Sequence, residues 1–142
     1  MVAKRAYDVY LRACGIRRMG GELKRMMNKA LQQAIRDGRI VKEDESGVGG
    51  LLHSVVRMAN TPPVVVRQRG SRDFEEIPPS ELQIVARRLL VEKGFEPGTD
   101  EHLRAILDYF DLKRLTTQVG MSLLETLGRH YPYVDALLEK GN

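Results

Sequence analysis

The apolar residues of two segments, 7–31 and 103–127, follow nearly the same pattern at an offset of about 96 residues. Thirteen residues of the first segment are apolar, and eleven of them have an apolar counterpart in the second. In each segment a basic pair, Arg17-Arg18 or Lys113-Arg114, lies in a short break between two helical runs. This layout is that of a helix-turn-helix, so the sequence predicts one structural unit that occurs twice.

In the first half, the spacing of apolar residues predicts two helices, over 4–14 and 21–37, which end at Gly15 and Gly38. The residues expected on their buried faces are Tyr7, Tyr10, Leu11, Cys14, Leu23, Met26, Met27, Ala30, Leu31, Ala34 and Ile35. Alternating and β-branched residues then predict three short strands, over 39–43, 51–58 and 64–69. Two helices followed by a small β-element is the order of a winged helix, with its usual first helix missing before Lys4.

The second half begins with a polar connector and continues with apolar spacing that predicts four helices. Their expected starts are Ser80, Asp100 and Thr116 or Thr117, each as an N-cap, and Val134 for the short last helix. The expected fold class is therefore mainly α with a small β-sheet (α+β). It comprises two helix-turn-helix or winged-helix-like units, over 1–70 and 71–142, the second without an evident wing.

One apolar face of the first unit has no evident cover in the sequence. The residues that form it are Tyr10, Leu11, Leu23, Met27 and Leu31. A soluble monomer rarely exposes an apolar patch of several hundred Å² or more. We therefore expect either that the helix over 82–90 is shared by both units or that a second copy of the chain covers the face in a homodimer.

The composition is that of a soluble globular protein, with 42% apolar and 30% charged residues. The sequence contains neither an apolar run of the roughly 20 residues that span a bilayer nor the apolar core of a secretion signal. A cytoplasmic protein without a membrane partner is therefore expected. The charge is unevenly distributed, because residues 1–42 hold 11 Lys and Arg against 3 Asp and Glu, and the rest hold 12 against 16. Such a basic segment is typical of a surface that binds a polyanion, or of a helix surface that charge keeps solvated.

Residue types for catalysis or metal binding do not come together in the sequence. The glycine cluster at 47–50 lacks the lysine of a phosphate-binding loop. His53, His102 and His130 lie in different segments without cysteines at zinc spacing, and are expected to be surface or partly buried residues. Acidic pairs are adjacent in sequence, so their side chains point apart on regular structure and suit acid-base catalysis poorly. We therefore expect no enzyme, no cofactor and no metal site.

In a DNA-binding helix-turn-helix the second helix enters the major groove, where Arg, Lys, Asn and Gln can pair with base edges and phosphates. The residues expected to bind nucleic acid are Arg17, Arg18, Lys24, Arg25, Asn28, Lys29, Arg39, Lys42, Arg67 and Arg69. Gln32 and Arg36 extend the same polar surface. The second copy has few basic residues there and is expected to contact something other than nucleic acid. The alternative for the first copy is that Arg17 and Arg18 only fix the turn, while the other charges solubilise a helix.

Four short motifs mark the chain: GIRRMGGEL at 15–23, DGRIV at 37–41, VRQR at 66–69 and IPPSEL at 77–82. Their order resembles a family of unknown function found near the C-termini of large bacterial superfamily-one helicase-like ATPases, often beside a restriction-endonuclease-like domain. The resemblance covers about 7–127. That family usually has a further helix before the one at Lys4, which indicates either a piece of a longer protein or a stand-alone relative.

The resemblance implies a winged-helix, nucleic-acid-associated accessory domain without catalytic residues. With the charge pattern, the leading hypothesis is a non-enzymatic accessory domain of a helicase- or nuclease-type protein. It would bind duplex DNA mainly through phosphates and with weak sequence preference. The alternatives are a protein-interaction or regulatory module that docks on a helicase-like ATPase, and a structural fragment with no activity alone.

Overall fold

The computed structural model describes residues 1–140 and divides the chain into two compact units, Met1–Pro62 (unit 1) and Pro63–Asn142 (unit 2). The described residues form six α-helices, one short 3₁₀ turn and one antiparallel sheet of two strands. The predicted class, mainly α with a small β-sheet, is confirmed. The boundary between the units lies earlier than residue 70, where the sequence pattern placed it.

Unit 1 consists of α1 (Ala3–Ala13), α2 (Gly21–Arg36), β1 (Ile40–Glu43) and β2 (Val55–Met58). The two strands are antiparallel and pair Lys42 with Val56. Met1 and Val2 lie along β2: the Val56 N–H donates to the Met1 carbonyl over 2.7 Å, and Val2 bridges to Val55. The core of this unit consists of Ala3, Tyr7, Leu31 and Val56, with Met19, Met27, Ile35, Ile40, Leu51 and Leu52 packed around them.

Unit 2 consists of a 3₁₀ turn (Phe74–Glu76), α3 (Pro79–Lys93), α4 (Asp100–Tyr109), α5 (Thr117–Gly128) and α6 (Pro132–Lys140). Helix α3 packs against α4, α5 and α6, and the run from Ser80 to Ala86 is buried throughout. The larger core cluster is formed by Ile77, Leu82, Val85, Ala86, Leu103, Ile106, Leu107, Phe110 and Leu123. Thr116 caps α5, as predicted, by accepting a hydrogen bond from the Val119 N–H. The other two expected caps are wrong, because Pro78 precedes α3 and the hydroxyl of Thr99 caps α4.

The turns after α1 and α4 have the same backbone hydrogen bonds. The Ile16 N–H donates to the carbonyl of Leu11 over 2.8 Å, and the Leu112 N–H donates to that of Leu107 over 2.9 Å. The left-handed residue is Gly15 in the first turn (φ 75°) and Asp111 in the second (φ 53°). This is the Schellman arrangement that ends many helices. The last residues of α1 and α4 are separated by the same offset as the repeated apolar pattern, and so are the first residues of α2 and α5. The two copies therefore match in helix boundaries and turn geometry as well as in apolar pattern.

Several residues that the pattern placed in the core of unit 1 are exposed. Tyr10 is 61% exposed and Met26 is 63% exposed, and Cys14 and Ala30 also lie on the surface. The matching positions in α4 and the turn after it are buried, with Ile106 at 0% and Phe110 at 1%. The difference arises because α3 covers α4 in unit 2, whereas the core around α1 in unit 1 is made with α2 and the strands.

The predicted strand over 64–69 is wrong, and an ion pair explains the path of this segment. The guanidinium of Arg72 donates to both carboxylate oxygens of Glu81 over 2.9 and 3.0 Å, and to the carbonyls of Arg67 and Gln68. The Arg67 N–H donates to Glu81 over 2.8 Å. Backbone groups that would form a strand ladder are thereby bonded to two buried side chains. The strand expected over 51–58 is also shorter, because residues 51–53 form a turn.

His102 is buried, contrary to the expectation of a surface or partly buried residue. Its Nδ1 accepts a hydrogen bond from the Gly98 N–H over 3.2 Å, and its Nε2 lies 3.0 Å from the carbonyl oxygen of Ala86. Since a neutral imidazole has one donor and one acceptor, Nε2 carries the hydrogen. His102 therefore joins α4 to α3.

Candidate nucleic-acid interface

Helix α2 carries a polar stripe on its solvent side, which we call the α2 stripe. It consists of Arg25, Lys29, Gln32 and Arg36, all of them exposed. Their separations of four, three and four residues place them on one face of a helix. The stripe is about 16 Å long at 1.5 Å per residue. The opposite side of α2 carries Leu31 and Met27, which pack in the core of unit 1.

The turn before α2 adds two more cations. Arg17 and Arg18 are exposed, and Lys24 is exposed in the first turns of the helix. Gly20 is the N-cap residue and has no side chain to bond the first amides of the helix. The N–H groups at this helix N-terminus and the adjacent Arg side chains favour phosphate, whereas the exposed Glu22 in the first turn opposes it.

Two carboxylates of unit 1 form ion pairs with arginines outside the stripe, although the charge of Arg36 also acts on Asp37. Asp37 accepts hydrogen bonds from Gln33 and from Arg39, and these contacts hold the pKa of its carboxyl below the usual value. Glu43 lies 3.9 Å from Arg57 across the sheet. Among the described residues, neither pair includes a cation of the stripe or of the turn, so their positive charge faces solvent.

Three of the ten predicted residues have structural contacts that do not suit direct binding. Asn28 is half-buried, and its Oδ1 accepts a hydrogen bond from the Tyr7 hydroxyl over 2.9 Å. Arg67 and Arg69 lie in unit 2. Arg67 is within 4.0 Å of the Glu81 carboxylate, and the Nε of Arg69 donates to the Phe110 carbonyl over 2.9 Å.

The other seven predicted residues lie on the surface of unit 1. Arg17, Arg18, Lys24, Arg25, Lys29 and Lys42 are exposed, and the side chain of Arg39 is 70% exposed although it pairs with Asp37. The structure adds Gln32 and Arg36 to this surface. The sequence analysis placed them beside the expected binding residues but did not include them among those residues. Their separation from Lys29 by three and seven residues was the signal that could have included them.

The corresponding surface of unit 2 has a different chemistry. Lys113 and Arg114 are exposed in the turn, with exposed Asp108 and Asp111 close by in sequence. The exposed side chains of α5 are Thr117, Gln118, Met121, Leu124 and Glu125. A shallow groove of about 300 Å³ beside Met121 and Leu124 has both Asp100 and Arg104 on its rim. This surface is mixed in charge and partly apolar.

The described residues contain no cluster of His, Cys, Asp and Glu that could hold a metal ion. Within the same part of the chain, the helices are all too short or too polar to cross a membrane. Comparisons with protein-family models, with curated proteins and with solved structures return no match.

Proposed function

We propose that unit 1 binds duplex DNA through the α2 stripe and the turn before it, as an accessory module of a helicase- or nuclease-type protein. The observation that carries the proposal is the alignment of Arg25, Lys29 and Arg36 on one exposed face without a carboxylate partner. Phosphate contacts of this kind position a protein on DNA but do not read sequence. Weak sequence preference is therefore part of the proposal.

The order of elements in unit 1 supports this mode of binding. A bridged N-terminal segment, two helices and a β-hairpin follow one another as in a winged helix, where the second helix of the pair meets DNA. An α-helix with its side chains is about 10–12 Å wide and fits the major groove, which is about 12 Å wide. Unit 1 is also the basic part of the chain, with twelve Lys and Arg against six Asp and Glu.

The first test is a titration of the full chain with a fluorescently labelled duplex at several salt concentrations. Neutralisation of about four to six phosphates gives an expected log–log slope of about −4 to −5. The single cysteine provides an independent reading, because Cys14 is exposed next to the basic turn and bound duplex should slow its reaction with a maleimide. Absence of binding at low salt would refute the proposal.

The second test compares the two basic turns. Arg17→Glu with Arg18→Glu should lower affinity about tenfold or more, because two phosphate-binding charges are reversed. Lys113→Glu with Arg114→Glu reverses the same charge in the equivalent turn and should change affinity only a few-fold, since α5 lacks exposed cations. Equal losses, with circular dichroism unchanged, would contradict the assignment to unit 1.

A second function, docking of unit 2 on a helicase-like ATPase, is favoured by one observation. Met121 is 67% exposed and Leu124 is 48% exposed beside the groove on α5. Exposed methionine is frequent on adaptable protein-binding surfaces. The test is binding of the chain to a purified superfamily-one ATPase, which Met121→Glu should weaken and Lys29→Glu should leave unchanged. Equal effects of the two substitutions would contradict docking through α5.

A further inference from the structure

A shallow groove lies between the C-terminal half of α2 and the base of the β-hairpin. Its volume is about 440 Å³. The residues that line it are Gln32, Ile35, Arg36, Lys42, Gly50 and Leu51. Helix α2 contributes the first three, β1 contributes Lys42, and the hairpin loop contributes the last two.

The electrostatics of the groove favour an anion. Arg36 and Lys42 are exposed cations, Gln32 supplies an amide, and the lining includes no carboxylate. Arg36 donates a hydrogen bond to the amide oxygen of Gln33 over 2.9 Å. The acidic neighbours along the chain, Asp37 and Glu43, form ion pairs with Arg39 and Arg57, although the charge of Arg36 also acts on Asp37. Two cations in one groove whose lining includes no carboxylate attract phosphate groups.

One wall of the groove is formed by the hairpin loop, and hydrogen bonds from Ser54 fix its backbone. The buried side chain of Ser54 donates to the carbonyl of Gly50 over 2.9 Å, and its N–H donates to that of Leu51 over 3.2 Å. Gly50 has a left-handed backbone (φ 81°), which favours glycine here and leaves this wall without a side chain. Leu51 and Ile35 are half-buried and offer small apolar surfaces. A wall fixed before binding loses little conformational entropy when a ligand arrives.

The position of the groove identifies its ligand. Arg36 belongs both to the groove lining and to the α2 stripe, so a polyanion that lies along the stripe from Arg25 reaches the groove without interruption. We propose that the groove binds the sugar-phosphate backbone of one nucleic-acid strand. Arg36 and Lys42 bind its phosphates, and Ile35 and Leu51 contact its sugars. This inference rests on the proposed function and adds a second contact region to it.

The experiment measures the salt dependence of duplex binding by the full chain with Arg36→Gln and Lys42→Gln combined. Each lost phosphate contact lowers the slope by about 0.9, so the slope should fall in magnitude by about 2. The matched control is Arg88→Gln with Lys93→Gln, which removes the same charge from exposed positions of α3 in unit 2. The control slope should equal that of the parent. Circular dichroism and thermal melting establish that both variants fold.

The outcomes separate this inference from the function on which it rests. A parent that binds duplex steeply, with a variant slope lower in magnitude by about 1 or less, would overturn the groove assignment, because Arg36 as a residue of the α2 stripe accounts for at most one phosphate contact. It would leave binding through Arg25, Lys29 and the turn before α2 intact. A parent that does not bind at low salt would overturn both. Binding of a poly-glutamate peptide that the double substitution abolishes, while the duplex slope stays constant, would assign the groove to an acidic peptide instead and also overturn the inference.

Discussion

Replacement of Arg72 by alanine should destabilise unit 2 strongly. The side chains of Arg72 and Glu81 are only 5% and 2% exposed, and they form two hydrogen bonds with each other. Arg72 also donates to the carbonyls of Arg67, Gln68 and Arg69, so it fixes the segment that leads into α3. After the substitution, the Glu81 carboxylate would remain buried and lose both hydrogen bonds from Arg72. It would keep the Arg67 N–H and, at 4.0 Å, the Arg67 guanidinium, whose side chain is 39% exposed.

The expected loss follows from the burial of that carboxylate. Removal of one partner from a buried ion pair costs about 3–5 kcal/mol, because the other charge is left uncompensated in a medium that solvates it poorly. An exposed pair is worth far less, at about 0–1 kcal/mol. Combined removal of both side chains by Arg72→Ala with Glu81→Ala should therefore cost less than the sum of the two single substitutions.

Native-state hydrogen exchange of the α3 amides measures this loss within unit 2 alone. The slowest amides should exchange about two to three and a half orders of magnitude faster in Arg72→Ala, since about 1.4 kcal/mol corresponds to tenfold. Arg88→Ala removes an exposed arginine from α3 and should change the rates by less than about threefold. An effect of Arg72→Ala below about 1 kcal/mol, or strict additivity with Glu81→Ala, would refute the reasoning.

Three further substitutions test other parts of the fold. His102→Ala should cost about 2–4 kcal/mol in the unfolding of unit 2, by loss of two hydrogen bonds and creation of a cavity, while His53→Ala on the surface should cost less than about 0.5. Met27→Asp should destabilise unit 1 by at least about 2 kcal/mol, because Met27 packs in its core; unchanged stability would show that this face is not buried. Burial raises the pKa of the Tyr7 hydroxyl above its ordinary value of 10.0. The stability that the protonated hydroxyl contributes to unit 1 is therefore complete below the pKa of the unfolded chain and is lost as pH rises through the pKa of the folded protein. Tyr7→Phe should therefore reduce the stability that unit 1 loses at alkaline pH, although it removes the hydrogen bond to Asn28. The same loss of stability at alkaline pH in the parent and the variant would contradict this.

The apolar pattern predicted the helices well because helix formation and burial of one face leave the same periodic signal. The turns were also predictable, since Gly15 and Gly38 adopt the left-handed conformation that ends a helix. The strand over 64–69 was not, although its β-branched residues favour one. Its polar backbone groups are bonded to Arg72 and Glu81, and a charge pair across a loop and a helix has no periodic signature in the sequence.

The sequence predicted which types of residue form the candidate site but not which individual residues belong to it. Charge counts located it in the first third of the chain, and the helical spacing placed Arg25 and Lys29 on the surface. Arg69 was included as part of the predicted strand over 64–69 in the wing, but its side chain bonds to a carbonyl in unit 2. Asn28 was included because its residue type can pair with base edges, and nothing in the local sequence indicates that the Tyr7 hydroxyl bonds to its side chain.

The repeated turn explains why shape alone does not determine what each unit does. Three backbone hydrogen bonds and one left-handed residue recur at the same offset, so the first helix of each pair ends in the same local geometry. Side chains outside the apolar pattern differ: the positions equivalent to Arg25 and Lys29 hold Met121 and Glu125. Reversal of charge at such positions leaves the buried face intact and therefore costs little stability. The same backbone can then present a basic stripe in one unit and a mixed, partly apolar face in the other.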